Sequence, residues 1–159
     1  MGDASFPSLT TLPADLHVLI EHQVWARVHG DGTATVGITP LGIALSGEIY
    51  MCRPKRVGSV VAQAGTVAVV ELSKSIVAVK SPVSGTVIEV NPALDDRPDW
   101  VHRDPCGAGW IARLHLADFA ADEALLLHGA VAEQAMVEHA RAHAAVLASS
   151  ATGRPEGSP

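Results

Sequence analysis

The sequence predicts a mostly β chain in which two small sheets form a barrel or sandwich, with helices at the C-terminal end. Short runs rich in β-branched residues occur between positions 24 and 114, and Gly or Pro separates them. From Asp118 onward the composition changes to Ala, Leu and Glu, which favour helix. Only 4% of the residues are aromatic although 48% are hydrophobic, so the core is expected to be aliphatic.

The first predicted elements form a hairpin. Residues 24–28 and 33–39 alternate in the manner of half-buried strands, and the tight turn at 29–32 joins them. Pro40 ends the second strand. The other segments expected here are an element at 15–21 that is either a short helix or a covering strand, an apolar connection at 41–47 that can form one helical turn, and extended segments at 48–52 and 59–62.

A second hairpin is predicted around Lys74. Residues 66–70 and 76–79 are rich in β-branched side chains and are predicted strands, and the polar residues 73–75 lie between them. A lysine at a hairpin tip is held in water with nothing to pair against. Such a position contributes little to stability and suits a covalent attachment.

Exposure also selects Lys74 among the lysines. The chain has two others, Lys55 in a predicted loop and Lys80 near the end of the second strand, away from the tip. An attachment lysine must be reachable and its amine must be free, and the tip position meets both conditions best.

The remaining elements complete the sheets and add the helices. They are expected to be a strand at 86–90, a polar loop at 91–103 that Trp100 anchors to the barrel, a strand at 110–114, and helices at 118–127 and 130–147 that Gly129 separates. On the second helix, Val131, Met136 and Leu147 are expected to point inward. The predicted organisation is a flexible leader at 1–14, one domain at 15–147 and a disordered tail at 148–159.

Charge and hydropathy exclude several classes of function. The formal net charge of −6 argues against a nucleic-acid binder, because binding to phosphates requires a basic face. Arg53, Lys55 and Arg56 form the one basic cluster, which is either a solvated loop or a docking surface for an acidic partner. No apolar run has the length of a membrane span and the N-terminus lacks a signal-peptide pattern, so we expect a soluble, cytoplasmic, monomeric protein.

Catalytic and metal-binding patterns are not recognisable in the sequence. Cys52 and Cys106 have no metal-ligand spacing and no disulfide framework, and both are expected to be reduced. His139 and His143 share a face of a predicted helix, but no further ligand with suitable spacing supports a metal site. Without a nucleophile–base pair or a phosphate loop, the chain is not expected to be an enzyme.

Short blocks of residues between positions 20 and 140 form a specific set through their order and spacing. They are His22–Trp25, Gly30–Thr39, Gly47–Ile49, Val57–Gly58, Glu71–Lys74, Ser81–Gly85, Val87–Asn91 and Asp104–Ile111. As a set they resemble the H proteins of the glycine cleavage system. The resemblance implies a lipoyl-domain-like barrel-sandwich hybrid in which Lys74, on a β-hairpin tip, carries covalent lipoate.

The resemblance also implies a function. It is that of a non-catalytic carrier, which shuttles an aminomethyl group on its lipoyl-lysine arm between partner enzymes. The implied partners are a lipoylation enzyme, glycine decarboxylase, aminomethyltransferase and dihydrolipoyl dehydrogenase. Glu71 is then either a residue that positions the arm or the lipoylation enzyme, or an ordinary edge-strand carboxylate.

Two departures from the family pattern leave alternatives open. Cys106 stands where tyrosine is usual, and we expect it to act as a buried small hydrophobic residue. The basic stretch around Lys55 resembles the lipoate-binding proteins that are linked to sulfur oxidation by a heterodisulfide-reductase-like complex. The same carrier could therefore serve sulfur transfer, and a third possibility is an unmodified barrel that acts as a binding module.

Overall fold

The computed structural model describes residues 7–149, which form two antiparallel sheets and several helices. The strands are β1 Leu16–Leu19, β2 Val24–Val28, β3 Thr33–Ile38, β4 Met51–Pro54, β5 Val60–Val61, β6 Thr66–Glu71, β7 Ile76–Lys80, β8 Gly85–Val90, β9 Ala112–Leu116 and β10 Leu127–His128. The helices are α1 Pro7–Thr10, α2 Pro40–Ser46, α3 Ala93–Asp96, α4 Trp100–Arg103, α5 Phe119–Asp122, α6 Gly129–Ala142 and α7 at 144–149, with 3-10 turns at Ile20–His22 and Glu123–Leu125.

The strands divide unequally between the two sheets. The larger sheet has the order β10-β1-β2-β3-β9-β8-β5, and the smaller has the order β4-β6-β7. Every neighbouring pair is antiparallel. The predicted mostly β class with two sheets and C-terminal helices is therefore confirmed.

The main core lies between the inner faces of the two sheets and is aliphatic, as expected. Val36 and Leu114 from the larger sheet and Val67 and Val70 from the smaller sheet belong to one cluster of buried side chains. Cys52 of β4 is buried in the same cluster. Since aliphatic side chains interdigitate at high density, this core holds the hairpin β6–β7 to the rest of the molecule.

A second cluster covers the outer face of the larger sheet and is centred on Trp25. The indole is fully buried, and its Nε1 donates to the carbonyl oxygens of Ile38, at 3.0 Å, and Pro105, at 3.2 Å. Met136 of α6 belongs to the same cluster. Gly37 of β3 lies directly against the ring: a Cβ at this position would be 2.5 Å from Cζ2 of Trp25.

A buried carboxylate supports the base of the hairpin β6–β7. Asp122 of α5 accepts hydrogen bonds from the backbone N of Ser84 at 2.6 Å and from its Oγ at 3.1 Å. Gln63 donates from Nε2 to the backbone oxygens of Pro82 and Asp122, at 3.0 and 2.9 Å. These bonds tie the turn after β7 and the turn before β6 to the C-terminal part of the chain, so the hairpin starts from a fixed base.

Two predictions about secondary structure need correction, and one open alternative is resolved. Residues 91–103 form α3 and α4 rather than an irregular loop, although Trp100 does pack against the main core. Residues 127–128 pair with β1, so Gly129, with φ of +67°, is the first residue of α6 after a strand and does not separate two helices. Residues 15–21, for which helix and strand were both open, contain β1 and a 3-10 turn.

The inward face of the predicted helix 130–147, which the structure divides into α6 and α7, was predicted only in part. Met136 and Leu147 are buried as expected, but Val131 is 62% exposed, so its predicted inward position is wrong. The buried helix face consists of Ala132, Met136 and Ala140. Two alanines at this spacing let the helix approach closely, and the larger Val131 is left outside.

The predicted leader and tail extend beyond the described residues. Positions 1–6 and 150–159 lie outside them. Of the predicted leader, positions 7–14 are described: they include α1, Thr10 and Leu12 are buried, and the backbone N of Leu12 donates to Glu133.

The contact between Gly37 and Trp25 leads to a first prediction. In Gly37→Ala the new methyl group would overlap the buried indole, so we expect a loss of about 1–3 kcal/mol in the free energy of unfolding. Chemical denaturation should measure it. Gly30→Ala is the matched control, because nothing lies within 4 Å of a Cβ there. Equal stability of the two variants would contradict the packing argument.

The buried carboxylate leads to a second prediction. Asp122→Ala leaves the backbone N and Oγ of Ser84 without this acceptor, so we expect a loss of about 1–3 kcal/mol in unfolding free energy. Asp96→Ala is the control, since Asp96 is an exposed aspartate at the end of α3. If denaturation of both variants matched the wild type, Asp122 would not be what fixes this turn.

Candidate functional site

Lys74 lies at the tip of the hairpin β6–β7. Glu71 and Ile76 are the last paired residues of the two strands, and the backbone N of Leu72 donates to Ser75 O at 2.8 Å. Ser73 and Lys74 are therefore the two central residues of the closing turn. Positive φ at non-glycine positions occurs, among residues 7–149, only at Gln23 and Ala64, so this turn requires no glycine or asparagine.

The amine of Lys74 has no partner within the described chain. Residues 73–75 are all exposed, and Lys74 forms neither a hydrogen bond nor an ion pair with any part of residues 7–149. An exposed amine on a short, closed turn is open to an enzyme from several directions. The arrangement suits acylation, which removes the positive charge without breaking a salt bridge.

The other two lysines have different surroundings. Lys80 is half-buried at the opposite end of β7, where it pairs with Thr66, roughly 20 Å along the strand from the tip. Lys55 is exposed in the loop after β4. Neither is on a hairpin tip.

The structure joins two residues that the sequence analysis treated separately. Arg53 of β4 donates from Nε to Glu71 Oε2 at 2.7 Å, and this hydrogen bond is the main reason that the pKa of Arg53 is raised. In register Arg53 pairs with Val69, so its guanidinium reaches diagonally toward the tip. This ion pair fixes the side chain of Glu71, which precedes Lys74 by three residues. It also leaves Arg53 less available for docking than Lys55 and Arg56.

The rest of the basic cluster is exposed at the other end of β4. Lys55 and Arg56 form no salt bridge within the described residues. Val57 and Val60, which follow, are 61% and 85% exposed. The surface here therefore combines two free cations with exposed apolar side chains.

A groove of about 280 Å³ opens beside β7, and sequence reasoning did not find it. One wall is apolar and includes Val70, Val77 and Val79, whereas Glu21, His22 and His139 also line it. The groove combines residues from β6, β7, the first 3-10 turn and α6. The blocks His22–Trp25, Gly30–Thr39 and Gly47–Ile49 each contribute a residue to its lining, whereas the sequence singled out His139 only as one of two histidines on a helix face and not as part of a groove.

Gln23 shapes the side of the groove that faces the 3-10 turn. Its φ of 55° ends that turn in the left-handed region. The buried side-chain amide donates to Ile20 O at 2.9 Å and accepts from Thr39 Oγ1 at 2.6 Å. These bonds hold the backbone next to Glu21 and His22 in one conformation.

His139 brings an imidazole from α6 to the groove. Its ring stacks on that of His143 with centroids 4.3 Å apart. Burial, and then the neighbouring His143, lower the pKa of His139, so the neutral form is favoured at neutral pH. The described residues contain no group of three or more His, Cys, Asp or Glu side chains that could hold a metal ion.

The two cysteines are poor nucleophiles. Burial raises the pKa of Cys52 to about 12 and that of Cys106 to about 11. Both are free thiols, and Cys106 packs against the Trp25 cluster while its carbonyl accepts from Arg27 Nη1. Thiolate chemistry at neutral pH is therefore disfavoured at both positions.

No helix in residues 7–149 combines the length and the apolar character that crossing a bilayer requires.

Comparisons with known proteins agree with this geometry. A model of the glycine cleavage H-protein family matches residues 16–139. The chain is 41% identical over 128 residues to glycine cleavage system H protein 2 of Aquifex aeolicus, covering 80% of each chain. It is 39% identical over 130 residues to the glycine cleavage system H protein of Marinobacter nauticus, covering 82% of this chain and 99% of the relative.

A solved structure shows the same fold. The crystal structure of a glycine cleavage system H protein from Mycobacterium marinum superposes with a TM-score of 0.64 at 26% identity, covering 84% of this chain and 99% of the other. This likeness confirms the lipoyl-domain-like arrangement of the two sheets. Together with the match of the family model to most of the domain, it means that the chain belongs to the glycine cleavage H-protein family.

Proposed function

We propose that Lys74 carries lipoate in amide linkage and that the chain is the H-protein carrier of a glycine cleavage system. The observation that carries this proposal is the exposed amine on a two-residue hairpin tip, in a member of the H-protein family, with no partner for that amine among residues 7–149. Such a tip is accessible to an acylating enzyme. The residues around it fit the group because nothing has to be displaced or deprived of its partner when the amine is acylated.

Lipoate attached to Lys74 would supply a strained cyclic disulfide, whose opening would let one sulfur carry an aminomethyl group while the other becomes a thiol. The chain supplies the starting point of the arm. Asp122 and Gln63 fix the base of the hairpin, and the core packing of Val67 and Val70 fixes its direction. A fixed origin with a flexible arm keeps transfer between partner sites at high effective concentration.

We assign the groove beside β7 to sheltering the arm between transfers. Its apolar wall, which includes Val77 and Val79, excludes water from a hydrocarbon chain. Glu21, His22 and His139 offer acceptors for the N–H groups of an amine cargo. Because the pKa of His139 is lowered, its imidazole accepts hydrogen bonds at neutral pH instead of repelling a cation.

The partners follow from the carrier role. They are a lipoylation enzyme that charges Lys74, glycine decarboxylase, aminomethyltransferase and dihydrolipoyl dehydrogenase. The chain itself is a non-catalytic, monomeric component. The ion pair between Arg53 and Glu71 is proposed to position the hairpin for the lipoylation enzyme, while Lys55 and Arg56 form a docking surface for an acidic partner.

One observation favours a second candidate function. The loop with Lys55 and Arg56 is basic in an acidic protein and has the exposed Val57 beside it. The same lipoyl carrier would then pass sulfur to a heterodisulfide-reductase-like complex through this surface. The unmodified binding module is disfavoured, because it leaves the exposed tip amine without a role.

Mass spectrometry tests the attachment site. After incubation with a lipoate ligase, lipoate and ATP, the wild-type chain should gain one lipoyl group, and peptide mapping should locate it on Lys74. Lys74→Arg should gain none and keep its thermal midpoint, since an exposed tip residue contributes little to stability. Lys55→Arg and Lys80→Arg are the controls, and both should be lipoylated. A lipoyl group on another lysine, or an unshifted mass for the wild type, would refute the assignment.

An exchange assay separates the two pathways. With glycine decarboxylase, the lipoylated chain should support exchange of the glycine carboxyl carbon with bicarbonate, because the arm accepts the aminomethyl group. Lipoylated Lys74→Arg does not form, so unmodified protein is the blank. Loading of sulfur from thiosulfate without any glycine exchange would instead assign the carrier to sulfur transfer.

A further inference from the structure

Strand β7 is open on both faces next to the tip. It is an edge strand of the smaller sheet. Ile76 and Val77 are 68% and 44% exposed, and Ala78 is exposed as well. Because consecutive side chains of a strand point to opposite faces, three exposed neighbours mean that neither face is covered here.

The backbone of β7 also offers unpaired groups along its outer edge. The closing bond from Leu72 N to Ser75 O starts the ladder, and Val70 pairs with Val77. Since hydrogen-bonded and non-bonded pairs alternate, N–H and C=O of Val77 point to β6, whereas those of Ile76 and Ala78 point outward. Outside the strand ladders, no backbone hydrogen bond within residues 7–149 reaches Ile76 or Ala78.

The part of this edge next to the tip carries no protection against another strand, since Lys80 and the register shift between Thr66 and Ala68 lie at its far end. Soluble proteins usually place a charge, a proline or a bulge on an exposed edge. The opposite edge of the same sheet, β4, carries Arg53 and Pro54. Residues 75–79 have no charge and no proline, so the open edge occurs only on the side that leads to Lys74.

We propose that the enzyme that acylates Lys74 recognises the chain by pairing an extended segment of its own with the open edge of β7. This inference rests on the proposed attachment at Lys74. The active site of an acyl-transferring enzyme must contact the tip, which is only two residues wide. Strand β7 continues directly from the tip, so its open edge is the nearest surface for further contacts. Backbone pairing fixes the register between β7 and the enzyme's strand, so Lys74 lies at a set distance from the enzyme's active site. Ile76 and Val77 contact the enzyme on the two faces of the added strand.

A second copy of this chain is a poorer occupant. The net charge of −6 makes two copies repel each other, and the open edge is only about four residues long. An acylating enzyme adds its active-site contacts to the tip amine, which a second copy lacks.

The enzyme acylates Lys74 in two steps, activation of lipoate and transfer of the lipoyl group to the amine. The enzyme activates lipoate with ATP: a carboxylate oxygen attacks the α-phosphorus, the bond to the β-phosphate breaks, and pyrophosphate leaves the lipoyl adenylate. The Nζ lone pair of Lys74 attacks the acyl carbon, a C–N bond forms, and the C–O bond to the phosphate breaks, so AMP leaves with the electron pair. The amine loses a proton to solvent. Strand pairing contributes only position to this step.

Proline at an outward-facing position tests the proposal. Ala78→Pro removes an N–H that points away from β6 and places a ring where a partner strand would pair, yet it leaves the ladder to β6 intact. With lipoate ligase, lipoate and ATP, we expect kcat/KM for the ligase to fall about tenfold or more, mainly through KM. Circular dichroism and the thermal midpoint should stay close to wild type.

Val60→Pro is the matched control. Val87 N donates to Ser59 O, so the N–H of Val60 likewise points outward, but from β5, an edge of the other sheet. Acylation of this variant should proceed at the wild-type rate. If folded Ala78→Pro is also acylated at the wild-type rate, the recognition proposal is overturned.

Amide hydrogen exchange tests the same proposal without a substitution. When ligase is added without ATP, the amides of Ile76 and Ala78 should gain protection, while those of Val77 and Val79 are already protected by β6. Unchanged exchange at Ile76 and Ala78 overturns the proposal. So does protection that rises with the concentration of the chain alone, which would identify a second copy. No acylation of the wild type would instead refute the attachment at Lys74, and this inference with it.

Discussion

The pairing of β6 with β7 is the interaction on which the site depends. It closes at Leu72 and Ser75, so it decides that Lys74 projects from the molecule. Two strands alone are only marginally stable in water, and the hairpin persists because its inner face contributes Val67 and Val70 to the aliphatic core. The larger sheet therefore acts on the tip indirectly, through the packing between the two sheets.

Charge contributes less to this arrangement than packing does. The pair of Arg53 and Glu71 is solvent-exposed, and ion pairs in water contribute little to stability. The ion pair fixes the relative position of two strands, since it joins β4 to the end of β6 beside the tip. Lys74 itself has no partner among the described residues, so a change in its charge leaves the fold unaffected. A carrier benefits from this separation, because it must be equally stable with and without its arm.

The helices extend the scaffold beyond the two sheets. Helix α6 lies on the outer face of the larger sheet through Ala132, Met136 and Ala140, and the same helix brings His139 to the groove. The groove therefore depends on helix packing on one side and on the edge of β7 on the other.

The sequence by itself determined the hairpin, its tip lysine, the aliphatic core and the family resemblance, because each rests on local patterns of β-branched residues, turn residues and spacing. Only the tertiary structure decided that Arg53 meets Glu71, that Glu21, His22 and His139 line one groove, and that Val131 points outward. These outcomes depend on how strands and helices distant in sequence pack together. Residues 91–103 illustrate the same limit, since two short helices form there where local composition indicated only a loop.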